Sequence, residues 1–337
     1  MAVTASAVIL PEPGRVEIRT VELPDPGPED VEIRTVYSGI SPGTERWVLT
    51  GRYNHMADDV AGFYPCSPGY QAAGVVERVG LAVTTIVPGD AVLTDGTRFV
   101  DPDIKQRGPT KGPHVSRHIE RASQVTKLPA GTDLAAASLF RLASVARHGI
   151  RLTNVGHGET VVVLGQGMIG QMSAQAARRR GARVIASDLV PARVELSARF
   201  SADRAVDASK EDLAAIVQSE YPGGADVVID TTGSSQIFPL CRELMRDGGR
   251  IALQGYYPEP ISIDFHPTHL KHTTVTFPCG WDTADDEALA ADLGSGQVTI
   301  APLITHRFAW RNAGDAYQLI LEHPEESLGV VLSWADA

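Results

Sequence analysis

Glu159-Thr-Val-Val-Val-Leu-Gly165-Gln-Gly167-Met168-Ile169-Gly170 is an apolar run, three spaced glycines and the start of an Ala-rich, helix-forming segment. The first glycine of such a GxGxxG permits a tight turn, the second lets backbone approach a pyrophosphate, and the third allows close helix-to-strand packing. The helix N-terminus behind Met168 and Ile169 offers free N–H groups and the positive end of its dipole to phosphates. By itself the motif is weak. Set after a strand, before a helix and inside a strand–helix repeat, it is a specific dinucleotide-binding signature.

Working outward, apolar runs recur at Thr160–Leu164, Arg183–Ser187, Asp226–Asp230, Arg250–Gln254 and Thr273–Phe277, with helical stretches such as Pro191–Phe200 and Glu211–Gln218 between them. Strands apolar throughout and separated by helices predict an α/β architecture, a Rossmann doubly wound parallel sheet covered on both faces. The second strand ends in Asp188, 18 residues after Gly170. A carboxylate there accepts hydrogen bonds from the adenosine ribose and repels a 2'-phosphate, which favours NAD. Asp188 also reads as an ordinary loop residue or a cap for a helix beginning at Pro191. Arg193 either borders the adenine or tolerates a phosphate. Thr232, Gly233 and Gly255 fall at the carboxyl ends of later strands, where parallel sheets bind ligands, although the glycines also suit plain turns.

Upstream, residues 1 to about 140 are β-rich. Period-two alternation in Arg15–Leu23 and Asp30–Val36, broken by Pro/Gly clusters, predicts short strands in a barrel or sandwich. Residues 97 to 114 form a polar loop, and Asp133 to Gly149 reads as one helix. After about 280 a helix over Asn312–Glu322 precedes a last strand, Gly329–Ser333. At 337 residues, two domains are expected.

A net charge of −11 disfavours a nucleic-acid partner. The one basic run, Arg178-Arg179-Arg180, reads as the solvated end of a helix. Cys66, Cys241 and Cys279 are too dispersed for a disulfide framework or a cysteine-built zinc site. No apolar stretch approaches a membrane span and no leader is evident, so a cytoplasmic location and a small-molecule partner are expected.

Ser38-Gly-Ile-Ser-Pro-Gly-Thr-Glu45, Pro68-Gly-Tyr-Gln-Ala-Ala-Gly-Val-Val-Glu-Arg-Val-Gly80, Val87-Pro-Gly-Asp-Ala-Val92 and the glycine motif together resemble the medium-chain dehydrogenase/reductase superfamily over nearly the whole length. The resemblance implies a GroES-like catalytic domain over 1–141, a Rossmann NAD-binding domain over 142–279, a return to the catalytic domain over 280–337, and a homodimer. Zinc-dependent members place a cysteine after SGI, a GHE triplet, and an acidic residue or cysteine near the domain boundary. Here those places hold Ser41, Gly69-Tyr70-Gln71 and Arg141, and residues 92 to 120 lack the cysteines of a structural zinc lobe. No metal is expected. Together with the segment Leu139–His148, this wording resembles a zinc-free branch that includes the dehydrogenase acting on the hydroxyethyl group of bacteriochlorophyllides.

Without a metal, an alcohol proton needs positioned hydrogen bonds and a base. The resemblance puts Thr44 at a proton-relay hydroxyl with Glu45 beside it. Tyr70 either hydrogen-bonds the substrate oxygen or only fills the space of the metal ligand. Arg141 either favours an alkoxide or tyrosinate, or pairs with neighbours. Tyr53 and His55 are further acid–base candidates in a cleft loop. The cluster His266-Pro-Thr-His269-Leu-Lys271-His272 lacks metal-ligand spacing, and His269 or Lys271 is the better substrate-facing candidate. The expected activity is NAD-linked, zinc-independent interconversion of a secondary alcohol and a ketone on a sugar, cyclitol or polyol. The alternatives are a pigment-precursor dehydrogenase, a quinone or enone reductase, and a non-catalytic NAD(H)-binding protein.

Overall fold

The computed structural model describes residues 3–53 and 59–336. Its first strands are β1 (Val3–Ile9), β2 (Glu17–Leu23), β3 (Asp30–Ile40), β4 (Ala72–Val79), β5 (Ala91–Thr94), β6 (Arg117–Arg121) and β7 (Thr126–Lys127). Then follow β8 (Thr160–Leu164), β9 (Arg183–Asp188), β10 (Arg204–Asp207), β11 (Ala225–Asp230), β12 (Met245–Leu253), β13 (Thr274–Thr276), β14 (Ile304–Ala309) and β15 (Gly329–Ser333). The helices are α1 (Pro42–Leu49), α2 (Leu134–Ala137), α3 (Phe140–Leu152), α4 (Met168–Arg179), α5 (Pro191–Phe200), α6 (Leu213–Glu220), α7 (Phe238–Leu244), α8 (Phe265–Leu270), α9 (Thr283–Gly294) and α10 (Ala313–Glu322). The chain divides into two compact units, Met1–Arg141 with Asp286–Ala337, and Leu142–Asp285. Among the described residues no helix is long and apolar enough to cross a membrane.

In the Leu142–Asp285 unit the strands run in the order β10-β9-β8-β11-β12-β13, all in parallel. The order reverses between β8 and β11, the switch point at which such sheets bind ligands. Alternate residues of β8 enter two separate cores. Val162 and Leu164 join one with Ile185 and Val228, while Val161 and Val163 join the other with Val184 and Ile229. With both faces covered, no position of the strand is left for a polar residue, hence the unbroken apolar run. β12 begins at Met245, earlier than the apolar run suggested.

In the other unit β3 organises a seven-stranded sheet, with β1 and β2 forming a separate antiparallel ribbon. One edge of β3 pairs with β4. Its other edge is shared, by β6 along Asp30–Arg34 and by β15 along Tyr37–Ile40. Thr35, at the junction, donates its backbone N–H to Ser116 O and its hydroxyl to Val115 O. The C-terminal return is anchored by Trp334, stacked on Trp310 at 5.4 Å between ring centroids.

The helix expected over 133–149 is broken. Asp133 caps α2 by accepting from the Ala135 and Ala136 N–H groups, and α3 starts anew at Phe140. The break packs tightly on β3: a Cβ on Gly39 would lie 2.4 Å from Ser138 O.

Candidate functional site

The glycine turn follows β8. Gly165 has φ +81°, and a Cβ on Gly170 would lie 1.9 Å from Gly165 O, so only glycine lets α4 begin this close to the turn. Gly167 is the N-cap of α4, and a Cβ there would meet nothing within 4 Å. Met168 and Ile169 open the helix behind it, Met168 buried and Ile169 half-buried. A bare backbone facing open space at a helix N-terminus is the cradle a pyrophosphate needs.

Asp188 ends β9 beside this turn. Its Oδ2 accepts the Gln166 N–H at 2.5 Å and its Oδ1 accepts the Val190 N–H at 2.9 Å, which fixes the carboxylate. Arg193 lies half-buried in the first turn of α5, its carbonyl accepting from Gln171 Nε2. A polar seam between α4 and α5, with Ser197 donating to Gln166 and Ser201 to Gln171, was invisible in the sequence. The basic run Arg178–Arg180 is exposed at the end of α4.

Across the switch point, Asp230 ends β11 buried. Its Oδ1 accepts from the Thr232 N–H and hydroxyl, and its Oδ2 accepts the Tyr257 phenol. Burial raises the Asp230 carboxyl above the ordinary carboxylate value despite these donors, and burial with the Asp230 charge raises the Tyr257 phenol. Gly233 has φ +71°, and a Cβ on Gly255 would lie 2.6 Å from Gly233 N. Asp230 opens the Asp230-Thr-Thr-Gly233 segment noted at a strand end, whereas nothing in the sequence marked Tyr257.

In the other unit Ser41 is the buried N-cap of α1, with Thr44 and Glu45 in the turn it opens. Tyr70 donates its phenol to Ser41 Oγ at 2.7 Å, with Thr44 Oγ1 at 3.3 Å. Burial raises the phenol above its ordinary value; the bonds to Ser41 and Thr44 oppose this, the Glu45 charge adds to it, and the Arg141 charge opposes it.

Glu45 faces inward. Its Oε1 accepts the Ser41 N–H at 2.7 Å; its Oε2 accepts the Tyr317 phenol and lies 3.1 Å from His114 Nε2. Trp334 Nε1 donates to Ser38 Oγ at 2.8 Å, and that oxygen lies 2.7 Å from His114 Nδ1. Ser38 Oγ thus bridges the Trp334 indole and His114 Nδ1, while Nε2 of the same ring faces the Glu45 carboxylate. A Cβ on Gly69 would lie 2.5 Å from His114 Nε2, so glycine is required before Tyr70. Glu45 is therefore tied into the turn that carries Ser41 and Thr44, beside the hydroxyl next to which the resemblance placed it.

Arg141 is buried and doubly paired: Nη1 meets both oxygens of Asp286 at 2.6 and 2.8 Å, and Nε lies 3.1 Å from Asp95 Oδ1. Two carboxylates thus engage the guanidinium, for which the sequence left open both a role toward an alkoxide or tyrosinate and pairing with neighbours. Gln71 Oε1 accepts the Arg141 backbone N–H. Tyr53 packs against the Trp310–Trp334 core, and His55 lies outside the described residues. His269 stacks on Phe265, and Lys271 donates to the carbonyls of Arg242 and Met245 at the end of α7, which accounts for both side chains structurally.

The family model described as zinc-binding dehydrogenase matches residues 169–292. The chain is 28% identical to the 2-desacetyl-2-hydroxyethyl bacteriochlorophyllide A dehydrogenase of Cereibacter sphaeroides, over 98% of each chain. It is 27% identical to a putative D-xylulose reductase of Agrobacterium fabrum, over 89% of this chain and 91% of that one. A putative zinc-binding dehydrogenase from Sinorhizobium meliloti 1021, solved bound to NADP, shares the fold with a TM-score of 0.82 at 24% identity, over 98% of this chain and 99% of that one. With its sheet order, its glycine turn and these full-length similarities, the chain belongs to the medium-chain dehydrogenase/reductase superfamily and is an oxidoreductase of that type.

Proposed function

We propose that the protein interconverts a secondary alcohol and a ketone with NAD and without zinc. The observation that carries the reading is the Tyr70 phenol set 2.7 Å from Ser41 Oγ, where zinc-dependent relatives are expected to hold metal ligands. Ser41, Tyr70, Gln71 and Arg141 include no thiolate, imidazole or carboxylate, and a guanidinium among them opposes a dication. That donor set does not fit zinc.

A bound nicotinamide dinucleotide supplies the hydride acceptor for oxidation or the donor for reduction. Gly165, Gly167 and the α4 N-terminus suit its pyrophosphate, and Asp188 its adenosine ribose. A 2'-phosphate would meet the fixed Asp188 carboxylate, which supports NAD over NADP. Tyr70 is the proton-handling group: a phenol raised by burial stays protonated at neutral pH and donates to an oxygen gaining negative charge, as a reduced carbonyl does. For that step the phenol turns its single proton from Ser41 Oγ to the substrate oxygen, and the Ser41 and Thr44 hydroxyls donate to the phenol oxygen in its place. Arg141, its side chain paired with Asp95 and Asp286, donates its backbone N–H to the Gln71 side chain and so holds Gln71 beside Tyr70.

A polar polyol or sugar suits a site of hydroxyl groups, and similarity to a D-xylulose reductase supports that class. A hydroxyethyl-bearing pigment precursor is the second reading, favoured by the 28% identity over 98% of the bacteriochlorophyllide enzyme. Following reduced-nicotinamide absorbance with NADH and NADPH against panels of ketoses and acyl-substituted macrocycles decides between them. Turnover with NADPH alone, or zinc retained in stoichiometric amount by active protein, would sink the corresponding part of the proposal.

A further inference from the structure

The nucleotide-binding unit contains a clamp that neither the glycine motif nor Asp188 accounts for. Beyond the paired ends of β11 and β12 the two following loops are tied at several points. The Asp230 carbonyl accepts the N–H groups of Gln254 at 2.8 Å and Gly255 at 3.0 Å. The Asp230 carboxylate accepts Thr232 on one oxygen and the Tyr257 phenol on the other. The glycines complete the contact: a Cβ on Gly233 would lie 2.4 Å from Tyr256 O, and one on Gly255 would lie 3.2 Å from Tyr257 Cζ. Nothing larger fits on either loop.

Asp188 ends β9, in the β8-β9-β10 half of the sheet, so the adenosine end of a dinucleotide belongs there. The other end must then lie over the β11-β12-β13 half, whose first two strand ends carry the clamp. We infer that Asp230 and Tyr257 are positioning residues for the nicotinamide end of the dinucleotide, holding the loops of Thr232–Gly233 and Gly255–Tyr256 in the shape that seats it. The inference rests on the dinucleotide reading above and adds to it a pair of residues and a division of labour between the two halves of the sheet.

The division gives the test. NADH and ADP-ribose share the adenosine diphosphate ribose portion, and only NADH carries the nicotinamide. Dissociation constants for both are measured by calorimetry on the full chain and on Tyr257→Phe, which keeps the ring and loses the donor. We expect NADH to weaken about five- to tenfold, the scale of one lost hydrogen bond, with ADP-ribose unchanged within about twofold. Asp230→Asn, which retains a hydrogen-bonding partner for Tyr257, should weaken NADH less, and it carries the same comparison if Tyr257→Phe does not fold. Equal losses for the two ligands, or none for NADH, would overturn the inference while leaving dinucleotide binding intact. Failure of the unaltered chain to bind NADH would overturn the dinucleotide reading and this inference with it.

Discussion

Tyr70 and Ser41 meet hydroxyl to hydroxyl, 2.7 Å apart, with Thr44 within 3.3 Å of the same phenol oxygen. If that phenol handles the substrate proton, Tyr70→Phe lowers turnover by roughly 10²-fold or more, the scale of a lost acid–base group. NADH affinity stays within about twofold, because the nucleotide half is untouched. Near-normal turnover in the variant would remove Tyr70 from the chemistry.

Asp188→Ser removes a carboxylate fixed by two backbone N–H groups. NAD should bind about tenfold more weakly, and the preference for NADH over NADPH should narrow or invert as repulsion of the 2'-phosphate disappears. Competition binding with both reduced cofactors reads this out; an unchanged ratio would mean Asp188 does not select.

Asp286→Ala removes one carboxylate from the buried Arg141 guanidinium and leaves Asp95 in place. The loss in unfolding free energy should be about 3 kcal/mol, the lower end of the range for breaking a buried pair, since one partner stays. Arg141→Met, which removes the charge and keeps much of the volume, should cost less. Urea denaturation of both variants tests the order.

His118 is fully buried, its Nδ1 bonded to Gly96 O and its Nε2 without a partner among the described residues. Burial, with some help from the nearby His114, pushes its pKa down to about 4 from 6.5. Between those values the unfolded chain binds a proton that the folded chain refuses, so stability falls as pH drops through this window. Below about pH 4 the loss is complete at about 3 kcal/mol. His118→Gln should flatten that part of the pH dependence relative to the unaltered chain, as followed by denaturation midpoints at neutral and acid pH. Parallel curves for the two proteins would rule out His118 as the source.

The parallel sheet and the glycine turn after β8 could be read from the sequence because their causes are local. β8 is apolar on both faces, Gly165 to Gly170 lie within six residues, and Asp188 ends the next strand. The surroundings of Ser38 and Glu45 could not be read this way. Tyr317 reaches Glu45 across 272 residues of chain and Trp334 reaches Ser38 across 296. No periodicity or spacing rule records such a contact, so nothing in the sequence tied Glu45 or Ser38 to the C-terminal residues, and His114 had no signal at all. The split between α2 and α3 was hidden for a related reason. Ser138 and Leu139 include no glycine or proline to announce a break, and the break lies where Gly39 of a distant strand packs against Ser138 O.

Pairing of β15 with β3, and of β14 with β15, also sets an order of events at the ribosome. The Leu142–Asp285 unit is finished, with every strand of its sheet synthesised, before residue 304 has been made. The older N-terminal half must meanwhile wait with one edge of β3 bare beyond Arg34 and with Ser38 and Glu45 missing Trp334 and Tyr317. A nascent chain stalled after β13 should therefore present a protease-resistant nucleotide-binding unit behind a labile N-terminal half, which becomes resistant only when its last strand is released.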